Sequence, residues 1–331
     1  MDNKHYLSID IGGTFIKYGV LDHSGNIISK NKKRTSRNID DLLFDLSEIV
    51  EKQSEHISGI GISAPGKVDT REGVIYGGGN LIFLDNCPIV SILQDKYKIP
   101  IAVENDGKSA ALAEMWLGNL QDVDDGAAII LGTGIGGGIV LNKKLRKGKH
   151  YSAGEISFMI NKSEEKSDLK FHGFNASAVR MIKKIGEYLG LSDPLDGETV
   201  FKSIISGNDF ANQVFINYCD SIAELINNIQ CTLELEKYVI GGGISTNKIL
   251  IEGIENSFNR LRMREPLLQK SIHSPIIQAT KFNNDANLYG ALYNLLLDEE
   301  TIDIIKNNEN MGINYENKFS RKFFVGWCSC S

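Results

Sequence analysis

Two glycine-rich hairpins constrain this chain more than any other feature of its sequence. The first, YLSIDIGGTFIKYGVLD (Tyr6–Asp22), is typical of an apolar strand, a Gly-Gly-Thr turn and a second, alternating strand. The second, DGAAIILGTGIGGGIVLN (Asp125–Asn142), repeats the design: an apolar run, a glycine-rich turn and another apolar run. Repetition of one supersecondary unit predicts a duplicated fold with a cleft between the two copies.

The turns of both hairpins are candidate nucleotide-binding sites. Glycine lacks a Cβ atom, so these turns are free to adopt positive φ angles and to admit a ligand closely. Their bare N–H groups would suit an anion such as a phosphate. A purely structural glycine hairpin is an open alternative for either turn taken alone. The candidate residues are Gly12, Gly13, Thr14, Gly132, Thr133, Gly134, Gly136, Gly137 and Gly138.

Length and composition predict a two-domain globular protein. At 331 residues, 42% of them hydrophobic and 24% charged, the chain is too long for one ordinary core. A net charge of −6 without a long basic block argues against nucleic acid as the main partner. No apolar run approaches the roughly 18 residues of a membrane span, and the N-terminus has no secretory apolar region. Five scattered cysteines suit a reducing compartment, so we expect a cytoplasmic protein.

The order of the remaining patterns predicts an α/β architecture in both halves. Each half begins with a hairpin and continues with helices and parallel strands. We expect an N-terminal domain over residues 1–122, joined by a closing helix at 285–297, and a C-terminal domain over residues 123–284. Residues 312–331 have no apolar periodicity and are expected to form a loose tail.

Asp106 is the candidate general base. It follows the predicted strand Ile99–Val103, and ligands bind at the carboxyl ends of strands in open α/β sheets. A carboxylate there could accept the proton of a hydroxyl group that attacks phosphorus. Its neighbour Asn105 offers a donor and an acceptor to a polar substrate. On local sequence alone, the alternative that Asn-Asp-Gly forms a helix N-cap or a turn is favoured.

Other polar residues beside glycines are weaker candidates. Asp10, at the end of the first strand, could orient Mg²⁺ or its waters, or could instead satisfy the turn that follows it. Asn80 and Glu155 lie in glycine-rich loops and could bind sugar hydroxyls or serve as turn residues. Lys17 could contact a phosphate, or could be an ordinary exposed strand lysine. After a later strand, Gly241, Gly242 and Gly243 would allow close approach of a nucleobase or ribose.

Taken in order, these segments resemble the ROK sugar kinases, within the hexokinase/actin-like ATPase fold. The resemblance covers about residues 5 to 297. It implies a two-domain actin-like ATPase (ribonuclease H-like) fold with a central cleft, and ATP and Mg²⁺ as cofactors; we also expect a homodimer. The matching motifs are DIGGTFIKYGV (Asp10–Val20), APGKVD (Ala64–Asp69), GGGNL (Gly77–Leu81), VENDG (Val103–Gly107), LGTGIGGGIV (Leu131–Val140), AGEIS (Ala153–Ser157), VIGGGIS (Val239–Ser245) and DANLYGAL (Asp285–Leu292).

The resemblance also implies roles for individual residues. Asp106 would be the base, and Asn80, Asn105 and Glu155 would bind the hexose. Gly66, within APGKVD, would lie at the substrate as well. Both glycine hairpins would bind ATP, with VIGGGIS on the adenosine side.

One departure from the family pattern concerns zinc. Family members usually have a histidine three residues after the AGE glutamate and a CxCGxxGCxE segment, which together bind a structural zinc near the sugar. Here Phe158 occupies the histidine position, and no cysteine lies between Cys87 and Cys219, so we expect no zinc site. The family's further sugar-binding glutamate would fall near Gly173. Phe158 then either presents an apolar face to a pyranose or an aglycone, or fills the vacated volume as a core residue.

We therefore expect ATP-dependent phosphorylation of a hexose 6-hydroxyl and favour β-glucosides such as cellobiose. N-acetylmannosamine kinase and glucokinase are the alternatives. A ROK transcriptional regulator would carry a DNA-binding domain before the first motif, and the nine residues ahead of Asp10 are too few for one. An actin-like filament or chaperone ATPase is disfavoured by Asn105-Asp106 after a strand.

Overall fold

The computed structural model describes residues 4–53, 57–161, 167 and 170–310. The described residues as far as Leu295 form one compact unit. The predicted tail at 312–331 lies outside the described residues. The described helices include none whose length and hydropathy would let it cross a lipid bilayer.

The N-terminal half of the described chain is built on a five-stranded sheet. Its elements are β1 (His5–Ile11), β2 (Phe15–Asp22), β3 (Ile27–Arg34), α1 (Ile39–Glu51), β4 (Ile57–Ala64), β5 (Lys67–Asp69), β6 (Val74–Tyr76), α2 (Ile89–Tyr97), β7 (Ile101–Asn105) and α3 (Asp106–Trp116). The strand order is β3-β2-β1-β4-β7. The first three strands form an antiparallel meander, and β4 and β7 continue the sheet in parallel from β1. β5 and β6 pair separately as a small hairpin.

The C-terminal half repeats this arrangement. Its elements are β8 (Gly126–Leu131), β9 (Ile135–Leu141), β10 (Lys144–Leu145), α4 (His172–Asn175), α5 (Ala178–Tyr188), α6 (Gly197–Ile205), α7 (Asp209–Leu233), β11 (Lys237–Gly241), α8 (Lys248–Met263), α9 (Pro266–Ser271), β12 (Ile276–Ala279) and α10 (Ala286–Asn310). The strand order is β10-β9-β8-β11-β12, with three antiparallel strands followed by two parallel ones. The two sheets therefore match in order and direction, which confirms the duplication that the hairpins predict.

Several element bounds differ from the sequence-based expectation. The stretch Gly73–Cys87 is glycine-rich, which favours an irregular loop, but it contains β6 and a 3₁₀ turn at Ile82–Leu84. The sequence predicts a helix over Lys108–Leu117, but this helix begins at Asp106, and the closing helix expected at 285–297 runs over Ala286–Asn310. The first two differences arise because short strands and helix caps leave little periodicity in the sequence.

Each half has its own apolar core. The central strand β1 is buried along almost its whole length, as expected for a strand with layers on both faces. In the N-terminal half, Leu7 and Ile9 of β1 belong to one core cluster with Leu42 and Leu46 of α1. Asn38 caps α1, since its side chain accepts a hydrogen bond from the Asp41 N–H. In the C-terminal half, α7 supplies much of a second core beneath β8 and β11.

The helix α3 is packed closely against the second hairpin. It is rich in small residues and buried from Gly107 to Glu114. A Cβ atom on Gly107 would lie 2.5 Å from the backbone nitrogen of Gly137, and one on Gly138 would lie 2.5 Å from the Ala111 Cβ. Glycine is therefore needed on both sides of this contact, because a side chain on either would collide with the opposite element. The contact places the start of α3, and with it Asp106, beside β9.

The glycines of the two hairpins differ from the expectation in which atoms approach them. None of the glycines in the two hairpin turns has φ in the left-handed region. Glycines with positive φ occur elsewhere, at Gly66, Gly77, Gly78, Gly79, Gly154 and Gly242 among others. The turns therefore do not use the freedom to adopt positive φ that glycine gives them. The expected close approach is present at Gly137 and Gly138, but there the approaching atoms belong to the protein.

Candidate active site

The site is organised by the carboxyl ends of β1, β4 and β7. Asp10 of β1 is in register with Ser63 of β4, and Ala64 of β4 is in register with Asn105 of β7. Parallel strands end at a common edge, so the residues that follow them lie close together. Asp106, as the first residue of α3, stands at this edge.

Asp106 is held by short hydrogen bonds at the start of α3. Its Oδ1 accepts from the Gly107 N–H at 2.8 Å and from Asn105 Nδ2 at 2.9 Å. The helix N-cap is Asn105, whose Oδ1 accepts from the Lys108 N–H at 3.1 Å. Asn105 Nδ2 also donates to the Gly66 carbonyl at 2.9 Å. The N-cap alternative is thus confirmed for Asn105, while the Asp106 carboxylate remains free to take a further role.

The surroundings of Asp106 make its carboxylate unusually basic. The pKa of Asp106 is raised from 3.8 to about 6, chiefly by burial and also by the Asp10 and Glu155 carboxylates, while the hydrogen bonds from Gly107 and Asn105 act in the opposite direction. A carboxyl group with a pKa near 6 is ionised at neutral pH and is a stronger base than an ordinary aspartate. This combination suits a general base.

Asp10 is buried and linked to three other elements. Its Oδ1 accepts from Ser63 Oγ at 3.2 Å and from Asn287 Nδ2 at 2.9 Å, and its Oδ2 lies 3.6 Å from Lys17 Nζ. Lys17 also donates to the Asn284 carbonyl at 3.3 Å. Lys17 is thus engaged with Asp10 rather than being a plain surface lysine. Sequence reasoning missed Ser63 and Asn287; the DANLYGAL motif was the available signal for Asn287.

Asp10 also fits the expected magnesium. Mg²⁺ is held in kinases by one or two carboxylates together with water and substrate phosphates. The Oδ2 atom of Asp10 points towards the Lys17 ammonium at a distance longer than a hydrogen bond, so it can accept a metal-bound water. Among the described residues no group of three or more His, Cys, Asp and Glu side chains is arranged to hold a metal by itself.

Glu155 follows Gly154, whose φ of 85° turns the chain into a 3₁₀ turn at Ile156–Phe158. Its Oε1 lies 3.4 Å from Lys108 Nζ, and its side chain is about one-third exposed. Lys108 is fully buried and donates to the Tyr151 carbonyl at 2.8 Å. The structure thus brings Glu155 to α3, where its charge acts on Asp106. Lys108 was not singled out from the sequence.

Phe158 is on the surface, and its exposed fraction is 60%. The alternative that it fills a vacated core volume is therefore wrong. Its ring meets the Phe171 ring edge-on, with 5.8 Å between the ring centroids. At Gly173 a Cβ atom would lie 2.7 Å from the Ser157 Cβ, so this position has no room for a glutamate.

The loop after β6 lies against the first hairpin. A Cβ atom on Gly13 would be 4.0 Å from the Asn80 Cβ, and one on Gly79 would be 3.4 Å from the Pro65 Cβ. Asn80 is exposed, and Gly66 has a φ of 90° that only glycine adopts readily. The loop of Asn80 thus meets the first turn, and Gly66 meets Asn105.

The second hairpin and the GGG segment also meet. The Gly132 carbonyl accepts from the Ala178 N–H at 3.0 Å, and Gly242, with a φ of 100°, packs against the Leu131 carbonyl. A Cβ atom on Gly243 would meet nothing within 4 Å. On Gly132 or Gly134 it would meet only atoms at 4.0 or 3.5 Å. Gly243 therefore faces open space, Gly132 and Gly134 have room for a methyl group, and Thr14 and Thr133 are exposed in their turns.

The ROK family model matches residues 6–298. The chain belongs to the ROK family. The match spans both sheets and every candidate site residue named above.

Similar ROK proteins cover nearly the same length. A β-glucoside kinase of Listeria monocytogenes is 28% identical over 296 residues, which is 88% of this chain and 97% of the relative. The structure of a ROK protein from Streptococcus pneumoniae in complex with sucrose is 30% identical, with a TM-score of 0.79 over 90% of this chain and 99% of that one. A ROK glucokinase from Streptomyces griseus in complex with glucose and AMPPNP is 25% identical, with a TM-score of 0.75 over 87% and 98%. These similarities confirm the α/β, actin-like ATPase fold that the motifs predict.

Proposed function

We propose that this ROK protein is an ATP-dependent kinase that phosphorylates the 6-hydroxyl of a hexose. The observation that carries the proposal is the Asp106 carboxylate, which stands at the strand edge with a raised pKa beside the second hairpin. The glucokinase relative binds glucose and an ATP analogue, which supports a sugar and a nucleotide as the ligands.

In this reaction the protein acts mainly by position and charge. Asp106 accepts the proton of the sugar hydroxyl as its oxygen attacks the terminal phosphorus of ATP. Asn80, Glu155 and the Gly66 segment hold the sugar so that this hydroxyl faces Asp106. Asn105, which is predicted to bind the hexose, also fixes the Asp106 carboxylate, because its amide nitrogen donates to Asp106 and to the Gly66 carbonyl. Bound Mg²⁺ would neutralise charge on the transferred phosphoryl group, and Asp10 is the residue that would hold it, directly or through water.

The nucleotide is assigned to the hairpin turns and the GGG segment. Gly12, Gly13, Thr14 and Lys17 would meet the phosphates from the first half. Gly132, Thr133 and Gly134 would meet them from the second half, because Thr133 and Gly134 are exposed and a Cβ atom on Gly132 would meet only one atom, at 4.0 Å. Gly243 would leave room for the adenosine, with Gly241 and Gly242 forming the packed base beneath it. Gly136, Gly137 and Gly138 belong to the predicted ATP segment. They also pack against α3 or the 3₁₀ turn at Ile156–Phe158, so they hold these elements against the hairpin.

Within the sugar kinases, we propose a β-glucoside such as cellobiose as the preferred substrate. The exposed Phe158 ring offers an apolar face close to Glu155, where a second pyranose or an aglycone could stack. The β-glucoside kinase relative supports this assignment. Glucokinase and N-acetylmannosamine kinase activities are the alternatives.

The remaining sequence-based expectations stay predictions. These are a division into domains at residues 1–122 and 123–284, a homodimer, and a cytoplasmic location. The sucrose and glucose complexes of the two structural relatives support a small-molecule sugar partner.

The test is an assay of the purified full chain with ATP and Mg²⁺. The sugars are glucose, N-acetylmannosamine, N-acetylglucosamine, mannose, fructose and cellobiose. We expect sugar-dependent release of ADP and a 6-phosphate product, identified by phosphorus NMR. Sugar binding in calorimetry without any phosphorylation would instead favour a sugar-sensing regulator and overturn the kinase proposal.

A further inference from the structure

Two lysines join the segment 147–155 to the strand–helix junction that carries Asp106. Lys147, at the start of the segment, places its Nζ 3.0 Å from the Oε2 of Glu104, two residues before Asp106. Lys108, two residues after Asp106, donates to the Tyr151 carbonyl at 2.8 Å and lies 3.4 Å from Glu155 Oε1. One link therefore runs from the segment to β7, and the other runs from α3 back to the segment.

The Lys147 link is needed because Glu104 is buried. The side chain of Glu104 is only 1% exposed, and a buried carboxylate is costly unless a cation and hydrogen bonds compensate it. Its Oε1 accepts from the Asn105 N–H at 2.8 Å, so the carboxylate also fixes the residue that orients Asp106. Lys147 is itself held firmly: its Nζ donates to Thr70 Oγ1 at 3.3 Å and to Asn294 Oδ1 at 3.2 Å.

The Lys108 link fixes the other end of the segment. Lys108 is fully buried, so its ammonium depends on the Tyr151 carbonyl and the Glu155 carboxylate. Tyr151 has a φ of 60°, a region that bulky residues rarely adopt and that surrounding contacts must maintain. The Lys108 bond to its carbonyl is one such contact. Within the segment, the Ala153 N–H donates to the Lys147 carbonyl at 3.2 Å, which joins the two links through the backbone.

We propose that Lys108 and Lys147 are positioning residues that hold the sugar-binding Glu155 and the base Asp106 at a fixed separation. The inference rests on the proposed function, since it assigns these lysines a role in the sugar kinase reaction. Lys147 acts through Glu104 and Asn105 on the Asp106 side. Lys108 acts through Tyr151 on the backbone of the segment and directly on the Glu155 carboxylate. Neither lysine is assigned a contact with substrate.

The first test is kinetic and uses Lys108→Met, Lys147→Met and the matched control Lys202→Met. Lys202 is exposed and forms a surface pair with Glu198 on α6. All proteins are assayed well below their melting temperatures. We expect Lys108→Met to raise the KM for sugar and lower kcat, each on the order of 10- to 100-fold, with the KM for ATP almost unchanged, because misplaced groups cost rate steeply. Lys147→Met should lower kcat, and Lys202→Met should match the wild type.

A double variant separates positioning from general loss of stability. Glu104→Gln combined with Lys147→Met removes the unpaired buried charge, so it should recover melting temperature. It should recover only part of the lost kcat, because the link from the segment to β7 is still missing. Full recovery of kcat together with stability would overturn the positioning role of Lys147.

The second test does not depend on activity. Hydrogen–deuterium exchange should quicken in residues 147–155 in both single lysine variants and stay unchanged in Lys202→Met. If exchange quickens as expected but the wild type never phosphorylates a sugar, the links stand and the proposed function fails. If the wild type is an active kinase while exchange, KM for sugar and kcat of both variants match it, the proposed role of the two lysines is wrong.

Discussion

Three carboxylates gather at the strand edge, and their surroundings differ enough to suggest different roles. Asp10 lies beside Lys17, and Glu155 lies beside Lys108. In the described part of the chain, the partners of the Asp106 carboxylate are the Gly107 N–H and the Asn105 amide, which are neutral donors. Groups whose surroundings separate their basicity can divide the work of a reaction. Asp106 is therefore the residue we assign as base.

Asp106→Asn should fold, bind sugar and lose turnover. The amide is nearly the same size as the carboxyl group but cannot accept the proton, so we expect kcat to fall by on the order of 10² to 10⁴-fold. Steady-state kinetics and sugar calorimetry on the purified variant provide the check. Turnover close to that of the wild type would remove Asp106 from the mechanism.

As pH rises, Asp106 should increase kcat/KM but decrease its contribution to the free energy of unfolding. The base works when ionised, so kcat/KM should rise with pH and level off above the pKa of about 6. The native pKa of Asp106 lies above its ordinary 3.8, so the native state binds more protons than the unfolded state between these values. Its contribution to the free energy of unfolding therefore falls as pH rises from 3.8 to about 6. Asp106→Asn should remove this decline, which urea unfolding of both proteins at pH 4.5 and 7 would reveal; an identical pH dependence would contradict the raised pKa.

At the scale of elements, the glycine-rich hairpin β8–β9 serves two purposes that its sequence does not separate. The glycines of the turn itself, Gly132 and Gly134, have room for a methyl group. Inside β9, Gly137 is covered by the 3₁₀ turn at Ile156–Phe158, and Gly138 is covered by α3. One run of glycines thus includes both an exposed turn, where we propose that the nucleotide binds, and a contact between the hairpin and the helix of Asp106.

A pair of alanine substitutions should separate these purposes. Gly134→Ala has room for its methyl group and should keep the melting temperature while raising the KM for ATP. Gly137→Ala would place its Cβ 2.6 Å from the Ile156 side chain and 3.1 Å from the Gly154 carbonyl, so it should lower the melting temperature and weaken sugar binding. Thermal melts measure the stability of each variant, and calorimetry with ATP and with sugar measures its binding. Equal loss of stability in both variants would show that the turn and the strand do not differ in role.

At the scale of the whole molecule, two matched sheets bring residues from both halves to one site. The N-terminal half supplies Asp10, Asn80 and Asp106, and the C-terminal half supplies Glu155 and the second hairpin. The order and direction of the strands agree in the two sheets, so the two hairpins occupy equivalent positions in their sheets. We propose that substrate choice depends on the less regular segment after Glu155, which carries Phe158.

Phe158→Ala should lower activity on cellobiose more than activity on glucose. Loss of an aromatic face costs about 0.5–1.5 kcal/mol for a stacked ring, which corresponds to roughly a 2- to 12-fold fall in kcat/KM for the larger sugar. Phe174→Ala is a suitable control, since Phe174 is also an exposed aromatic residue on this part of the chain. A wild-type kcat/KM for cellobiose well below those for glucose and N-acetylmannosamine would contradict the β-glucoside assignment.

Zinc should not be part of the active protein. Phe158 replaces the family's histidine and the cysteine segment is missing from the sequence, so treatment with EDTA followed by Mg²⁺ should restore full activity. Elemental analysis provides the direct measurement. One zinc per chain would show that other ligands replace the family's set.

The sequence by itself determined the hairpins, their repetition, the order of helices and strands, and the ROK motifs, because these are encoded by neighbouring residues. Only the tertiary structure decided which glycines of the second hairpin are exposed and which pack against α3, and it placed Phe158 on the surface. It alone showed that Lys108 reaches Glu155 and that Lys147 reaches Glu104. Such contacts join residues more than 40 positions apart, as with Lys108 and Glu155 at a separation of 47. The physical reason is that the pKa of Asp106 and the pairing of the buried Glu104 charge depend on side chains that only folding brings together. The spacing of residues along the sequence does not show which side chains these are.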